Sequence, residues 1–294
     1  MANSVLVIGS SGFIGKSLYK RLEESNVNVA GVDITSESDY KIDIVDQFHE
    51  LDDLIKTMNP TAIINLAALS NPKQCEENPK LVYKLNVEFV EKLVLSCKKY
   101  NIKNFIQSSS EWIYGNGPLK ISSTCHPSDF YSTEMNLYSK SKLDSELRLF
   151  SRYDELNFNV FIARFGIVYG NKENKSNCVV DYILKNYNQK KQTVLRSDSA
   201  ARCYISVDDI CSALIKLSLI NMRSELSPII YDLQGPKCYQ LSKIIDFLYS
   251  NEETIKNVDL SNTNADIKIV KSDFDEIMGY APKDLSTYLN IYRT

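Results

Sequence analysis

The sequence predicts an α/β fold built on a doubly wound parallel sheet, and two observations support this. Short, β-rich apolar runs alternate with helix-period segments from the first residues to about Arg164, and a glycine-rich turn follows the first run. Such alternation indicates a parallel sheet joined by right-handed crossovers, which binds its ligands at the carboxyl ends of the strands. The predicted strands are residues 5–8, 27–33, 62–66, 105–108 and 160–164.

The later part of the chain is less regular and predicts a small second lobe. Helices are expected at 181–191 and 207–219, and a strand ends at Tyr231-Asp232-Leu233 before the turn at Gln234-Gly235-Pro236. We therefore predict a first domain of residues 1–165, to which 203–231 returns. The small lobe consists of residues 166–202 and 232–294.

Composition limits the class of protein. The 294 residues are 44% hydrophobic and 24% charged, as in ordinary globular domains, and the net charge of −3 gives no reason to expect nucleic acid as a partner. The apolar run 61–69 is too short to span a bilayer, so no membrane partner is expected. The seven cysteines contain no CxxC pair and predict reduced thiols in a cytoplasmic protein, and with two histidines no metal site is expected.

The turn from Gly9 to Gly15 lies between the first strand and the first helix. Glycines there allow the backbone to approach a pyrophosphate, which the amino terminus of the helix attracts through its N–H groups and dipole. Any strand-to-helix turn can contain glycine, so the turn alone is weak evidence for a dinucleotide site. Asp33 at the end of the second strand strengthens this interpretation. Its carboxylate suits the ribose hydroxyls of NAD and repels a 2′-phosphate, which favours NAD(H) and leaves NADP(H) as a second option.

A possible acid–base pair opens a later helix. Tyr138 and Lys142 are four residues apart and share one helical face, where an ammonium group is expected to lower the pKa of the phenol. The YxxxK spacing also arises by chance in a chain with eighteen tyrosines. Ser108, Ser109 and Ser110, at the end of a predicted strand, add hydroxyl groups that can hydrogen-bond a developing alkoxide.

Together these motifs resemble the nucleotide-sugar epimerase/dehydratase branch of the extended short-chain dehydrogenases, over nearly the whole chain. The resemblance implies a Rossmann fold, hydride transfer with NAD(H), a nucleotide-diphosphate sugar as substrate, and a homodimer formed through two long helices, here about 79–100 and 138–153. The segments that carry it are Gly9/Gly12/Gly15, Asp33, 65–68, Asn86, 108–115, Tyr138/Lys142, 164–170 and 202–209.

The resemblance also implies residue roles. The catalytic residues are Ser110, Tyr138 and Lys142, and the substrate residues are Ser110, Glu111, Asn177 and Arg202. An arginine suits a sugar diphosphate because its planar fork can bind phosphate oxygens at two points; as an alternative, Arg202 forms a surface ion pair. The cofactor residues are Gly9, Ser11, Gly12, Phe13, Ile14, Gly15, Asp33, Asp43, Ile44, Leu66, Ala67, Ala68, Asn86, Ser108, Tyr138, Lys142, Arg164 and Phe165.

Two departures from the family pattern bear on the reaction. The 4,6-dehydratases carry a Glu two residues before the Tyr114-Gly115 pair, where this chain has Trp112, which argues against a dehydratase. The connection from Gly170 to Arg202 is short compared with that of UDP-galactose 4-epimerase and closer in length to that of the family's reductases. This favours a reductase of nucleotide 4-keto-6-deoxyhexoses. A 4-epimerase is the alternative, because the preference for NAD that Asp33 implies also suits an epimerase that retains its cofactor. A dinucleotide-binding sensor or scaffold without chemistry is a further alternative, although such proteins usually lose the tyrosine or the lysine.

Overall fold

The protein is represented by a computed structural model, which groups the chain into two compact units. The first comprises Met1–Gly115, Thr124–Arg164 and Cys211–Tyr231, and the second Asn116–Ser123, Phe165–Ile210 and Asp232–Thr294. The structure describes residues 3–115, 120–121, 126–130, 135–152, 156–170, 178–191, 193, 201–221, 228–249, 269–270 and 272–292.

Strands and helices alternate through the described residues. The strands are β1 (Ser4–Ile8), β2 (Asn28–Asp33), β3 (Tyr40–Lys41), β4 (Ala62–Asn65), β5 (Asn104–Ser110), β6 (Lys120–Ile121), β7 (Asn159–Phe165), β8 (Ile167–Tyr169), β9 (Arg202–Ser206), β10 (Ile229–Leu233), β11 (Cys238–Tyr239) and β12 (Ile269–Val270). The α-helices are α1 (Phe13–Glu24), α2 (Phe48–Met58), α3 (Pro72–Glu77), α4 (Pro79–Tyr83), α5 (Phe89–Lys99), α6 (Leu137–Ser151), α7 (Val179–Asn188), α8 (Val207–Ser218), α9 (Leu241–Tyr249), α10 (Phe274–Met278) and α11 (Leu285–Asn290).

The main sheet confirms the predicted doubly wound architecture. Its seven strands lie in the order β10-β7-β5-β4-β1-β2-β3, and β1 pairs in parallel with both β2 and β4. The direction of winding therefore reverses between β1 and β4, where folds of this type bind their ligands. Each strand predicted up to Arg164 is present, with ends that differ by a few residues.

The core of the first unit lies between this sheet and its helices. Strands β1, β4, β5 and β7 are buried along their whole length, as expected for parallel strands that are covered on both faces. Leu51 and Ile55 of α2 and Leu93 of α5 join the strand side chains in one apolar cluster. This packing fixes the carboxyl ends of the strands on which the site is built.

The second unit has its own small sheets and core. Strand β9 pairs in parallel with β8 and antiparallel with β11, and for this reason residues 203–210 group with the second unit, whereas the sequence division assigned them to the first. Cys203 lies directly opposite Cys238 in the β9–β11 pair, and the two form a disulfide. The expectation of seven reduced thiols is therefore wrong, because strand pairing brings together two cysteines that are 35 residues apart.

None of the helices in the described ranges combines the length and apolar character needed to cross a bilayer.

Candidate active site

The glycine-rich turn packs closely against the neighbouring strands. Gly9 has a φ of +86°, which favours glycine, and its N–H donates to the carbonyl of Val32 at 2.8 Å. A Cβ atom on Gly9 would lie 2.7 Å from the nitrogen of Ala67, and one on Gly15 would lie 2.1 Å from the carbonyl oxygen of Gly9. Side chains at these two positions would collide with backbone atoms, so the close packing of this turn requires glycine.

Helix α1 begins directly after this turn. Gly12 precedes the helix with extended backbone and offers no capping side chain, so the first-turn N–H groups, beginning at Phe13 and Ile14, are oriented toward the turn. A helix end of this kind attracts an anion through its N–H groups and its dipole. The turn and the helix end together fit the pyrophosphate of a dinucleotide.

Asp33, at the end of β2, is linked to the glycine turn. Its Oδ2 accepts a hydrogen bond from the Ser11 N–H at 3.0 Å, and its Oδ1 accepts one from the Ile34 N–H at 2.8 Å. The Thr35 hydroxyl donates to the Ser11 hydroxyl at 2.7 Å. The carboxylate is thus held beside the phosphate-binding turn, where it can accept hydrogen bonds from ribose hydroxyls and repel a 2′-phosphate.

The other predicted cofactor residues border the same end of the sheet. Leu66 donates its N–H to the carbonyl of Ile8 at 2.8 Å, and this bond places the segment that continues to Ala67 and Ala68 beside Gly9. Asp43 caps its own turn by accepting the Val45 N–H at 3.0 Å. Ile44 is buried in the core cluster.

Asn86 is buried, and its amide binds other parts of the protein. It accepts the Leu69 N–H at 2.9 Å, and its Nδ2 donates to the Leu69 carbonyl at 3.1 Å and to the Ser141 hydroxyl at 2.9 Å. The side chain therefore ties the loop after β4 to helix α6. A direct contact between Asn86 and the cofactor stays a prediction.

Ser110 and Tyr138 meet at the carboxyl end of β5. The Trp112 N–H donates to Ser110 Oγ at 3.3 Å. The Ser110 hydroxyl lies near enough to the Tyr138 phenol to lower its pKa. Helix α6 is oriented by Asn136, whose side chain accepts the Ser139 N–H at 2.9 Å. Two of the three predicted catalytic residues are thus neighbours at this end of the sheet.

Lys142, one helical turn beyond Tyr138, is buried. Its Nζ donates to the Ser108 carbonyl at 2.9 Å, and Gln107 Nε2 donates to the same oxygen at 3.0 Å. Burial lowers the pKa of Lys142 to about 8, although the Glu146 carboxylate partly opposes this shift. Lys142 is therefore an ammonium group whose charge is sensitive to the alkaline end of the physiological range.

The expected lowering of the Tyr138 pKa is not found. Burial raises it to about 12, and the hydrogen bond from Ser110 only partly opposes this rise. The sequence argument considered the ammonium charge and gave no weight to the loss of water around the phenol. Tyr138 is therefore protonated in the cofactor-free protein at neutral pH, as a general acid must be.

A buried ion pair lies among the same elements. Arg164 and Glu146 have no exposed side-chain surface, and their closest contact, between Nη2 and Oε2, is 2.5 Å. Glu146 also accepts from the Ser109 hydroxyl at 2.5 Å, and Arg164 donates to the Tyr114 hydroxyl at 2.7 Å. The guanidinium of Arg164 is thus bound to a carboxylate inside the protein, and its assignment to the cofactor site stays a prediction.

The remaining predicted residues are placed as follows. Glu111 is buried and begins a 3₁₀ turn after β5. In the second unit, Phe165 is buried at the end of β7 and Arg202 is half-buried at the start of β9, opposite Tyr239. Asn177 lies outside the described residues.

Glu146 is the main residue that the sequence reasoning missed. It follows Lys142 by four residues and Tyr138 by eight, so all three lie on one face of α6. This spacing was visible in the sequence. Its partner Arg164 could not be inferred, because the pair forms only when α6 packs on β7.

A profile of the NAD dependent epimerase/dehydratase family matches residues 5–231. The chain is 26% identical over 232 residues to Protein CapI of Staphylococcus aureus, covering 72% of this chain and 68% of that protein. It is 23% identical to the UDP-glucuronate 4-epimerase of Thermodesulfobacterium geofontis, covering 92% and 88%. The UDP-glucose 4-epimerase of Thermotoga maritima has the same fold, with a TM-score of 0.82 at 20% identity and coverage of 99% and 97%.

The fold and the site thus define an extended short-chain dehydrogenase. The chain belongs to the NAD dependent epimerase/dehydratase family and is an NAD-dependent enzyme.

Proposed function

We propose that this enzyme is a nucleotide-sugar 4-epimerase that transfers a hydride between NAD and C4 of the sugar. The observation that carries the proposal is the placement of Ser110, the protonated Tyr138 and Lys142 together at the end of β5, where Lys142 binds the Ser108 carbonyl. The names of two similar proteins, a UDP-glucuronate 4-epimerase and a UDP-glucose 4-epimerase, support this reaction and make UDP-sugars the first substrates to test.

The cofactor fits the first unit. The glycine turn and the start of α1 would hold its pyrophosphate, and Asp33 would bind the adenosine ribose. Lys142 would bind the nicotinamide ribose, as the family resemblance implies. When bound, NAD would supply the hydride-acceptor and hydride-donor chemistry of the reaction.

The residues at the end of β5 would bind the C4 hydroxyl of the sugar and transfer its proton. Ser110 and Tyr138 would hydrogen-bond the sugar hydroxyl at C4, and Tyr138 would exchange the proton with that oxygen. A phenol whose pKa is raised stays protonated at neutral pH, so little phenolate is present to act as a base unless a positive charge lies close to it. The Lys142 ammonium is the charge that this chain supplies on the same helical face.

The half-buried Trp112 argues against dehydration. An indole cannot act as a general acid or base, whereas elimination of water across C5 and C6 needs such a group near the sugar. Glu111 is one position earlier and is buried. The proposal therefore keeps the chemistry at C4.

A reductase of nucleotide 4-keto-6-deoxyhexoses is the second candidate. The observation that favours it is the short connection of 31 positions between Gly170 and Arg202. A reductase has to present only one face of the keto sugar to the hydride, whereas an epimerase must let the keto intermediate turn over. A compact lobe suits the simpler task.

One experiment separates these candidates. The enzyme is incubated with UDP-hexoses and NAD, or with nucleotide 4-keto-6-deoxy sugars and NADH, while NADH absorbance and sugar products are followed. Interconversion of C4 epimers without net change in NADH supports the epimerase, and stoichiometric consumption of NADH supports the reductase. The absence of both would count for the sensor or scaffold alternative and against the proposal.

The sugar diphosphate is expected to bind Arg202 and Asn177. Arg202 is half-buried at the start of β9, and its guanidinium suits phosphate oxygens. The assignment rests on the resemblance of residues 202–209 to the family pattern. Arg202→Ala should weaken binding of the nucleotide sugar and leave NADH binding unchanged.

We also propose a homodimer that pairs through α5 and α6 and the turns before α5. Leu81 and Leu95, on that helical stretch, are 42% and 46% exposed, which supports an apolar surface that a second copy would cover. Light scattering on the purified protein tests this directly, and a monomer at all concentrations would contradict it.

A further inference from the structure

We infer that Glu146, held in place by Arg164, is a positioning residue that keeps Lys142 charged and locks helix α6 to the end of β5. This inference rests on the proposed hydride transfer at Tyr138 and Lys142. It assigns a function to a buried ion pair that none of the family motifs quoted above contains as a pair.

The geometry couples Glu146 to Lys142 in two ways. The two residues are one turn apart on the same face of α6, and they bind adjacent residues of β5. Lys142 donates to the Ser108 carbonyl at 2.9 Å, and Glu146 accepts from the Ser109 hydroxyl at 2.5 Å. A shift of α6 along β5 would break both bonds together, so the carboxylate helps to fix the register of the catalytic helix.

The charges around Lys142 explain why a carboxylate is needed. Cys75, from α3, and Tyr138, on α6, are uncharged at neutral pH, because burial raises the pKa of each. Glu146 is the carboxylate on α6 that opposes the effect of burial on Lys142. Without it, desolvation would move the pKa of the lysine further below 8, and a larger fraction would be neutral at physiological pH.

Arg164 makes the buried carboxylate possible. An unpaired carboxylate with no exposed surface would destabilise the fold, whereas the Arg164 guanidinium at 2.5 Å compensates the charge of Glu146. Tyr114 and Ser109 bind the outer atoms of the pair. Arg164 on β7 thus supplies the positive charge that allows Glu146 on α6 to be buried.

The test uses a double replacement, Glu146→Met with Arg164→Met. Exchanging a buried ion pair for apolar side chains is often neutral for stability, whereas removing one partner leaves a buried charge and is not. Glu91→Gln is the matched control, because Glu91 accepts from Arg148 of the same helix at a partly exposed site. Thermal unfolding, the pH dependence of NADH binding and the pH profile of hydride transfer are measured for each protein.

For the double variant we expect near-native stability and at least a tenfold loss of turnover at pH 7.5. The alkaline limb of its pH profile, and the pH at which NADH binding weakens, should both move down by about one unit. Glu91→Gln should keep the profile of the wild type. A stable double variant with an unshifted profile would overturn the inference, because the pair would then only fill the core.

Two further outcomes remain informative. If the double variant fails to fold, Glu146→Asp is tested instead, because it keeps the charge and shortens the side chain by one methylene. The alkaline limb of its pH profile should then move down, by less than in the double variant. If the wild type turns over no nucleotide sugar, the proposed function fails, while the pH dependence of NADH binding still tests the inference about Lys142.

Discussion

Helix α6 has two charged faces that differ in their surroundings. One face carries Tyr138, Lys142 and Glu146, and the last two are buried. The other carries Asp144 and Arg148, which bind Tyr83 and Glu91 at partly exposed positions. The same types of side chain therefore form the proposed catalytic site on one face and join helices on the other.

The difference between these faces shows what burial adds to a charge. On the inner face, loss of water lowers the pKa of Lys142 to about 8 and raises that of Tyr138 to about 12. On the outer face, Arg148 and Arg152 hold the pKa of Glu91 below its usual value by ordinary ion pairing. The inner pKa values are thus shifted mainly by loss of water, whereas the pKa of Glu91 is shifted by its ion pairs.

The largest expected effect follows from Tyr138→Phe. Removal of the phenolic hydroxyl removes the proton donor and should lower turnover by about 10²–10⁴-fold, while NADH affinity stays near that of the wild type. Turnover is measured with the substrate identified by the sugar screen. Tyr83→Phe is the control, because it removes a hydroxyl that binds Asp144 on the outer face.

That control sharpens the comparison of the two faces. Tyr83→Phe should keep wild-type turnover and lose only some stability. Wild-type turnover in Tyr138→Phe would reject the catalytic assignment and, with it, the distinction between the faces.

The second prediction concerns the pH dependence of NADH binding. Half of the Lys142 ammonium is lost at about pH 8, so NADH affinity should be constant at and below about pH 7 and fall as the pH rises through 8. Lys142→Met should bind NADH more weakly by about 1.5–3 kcal/mol, the usual worth of a hydrogen bond to a charged group. Its affinity should no longer change across pH 8, as fluorescence titration can show.

Ser110→Ala should have a smaller effect. It removes one neutral hydrogen bond from Tyr138 and leaves the proton donor in place, so turnover should fall by the equivalent of about 0.5–1.5 kcal/mol. The alanine also frees the Trp112 N–H, which Ser110 Oγ accepts at 3.3 Å. A loss as large as that of Tyr138→Phe would mean that Ser110 carries the proton itself.

The sequence predicted the parts of the site that depend on local spacing. The glycine turn, Asp33 at the end of β2, and the Tyr138–Lys142 pair are each defined within a few residues of one another, and the structure describes each where the pattern expected it. The sheet was predictable for a similar reason, because an apolar run in the sequence indicates each of its main strands. Local sequence patterns were thus sufficient to predict the fold and the glycine turn.

Features that depend on packing were missed or misjudged. The pKa of Tyr138 depends on burial that no spacing reveals, and the pairing of Glu146 with Arg164 needs α6 to lie against β7. Cys203 and Cys238 meet only because β9 and β11 are neighbours. Each of these errors concerns a contact between residues that are distant in sequence, or the loss of solvent that such contacts cause.

The smallest expected effect belongs to Glu91→Gln on the outer face. Glu91 accepts from both Arg148 and Arg152, whose side chains are 49% and 31% exposed, so solvent screens the pair and its contribution should be within about 1 kcal/mol. Chemical unfolding at low protein concentration measures this value, and 1 M salt should reduce it further. If two copies pair through α5 and α6, as proposed, the Glu91 carboxylate would be shielded from water in the dimer. The loss of stability in Glu91→Gln should then increase with protein concentration. A loss that is large at every concentration and insensitive to salt would show that the outer pair is as buried as Glu146 and Arg164, and the contrast between the two faces would then be false.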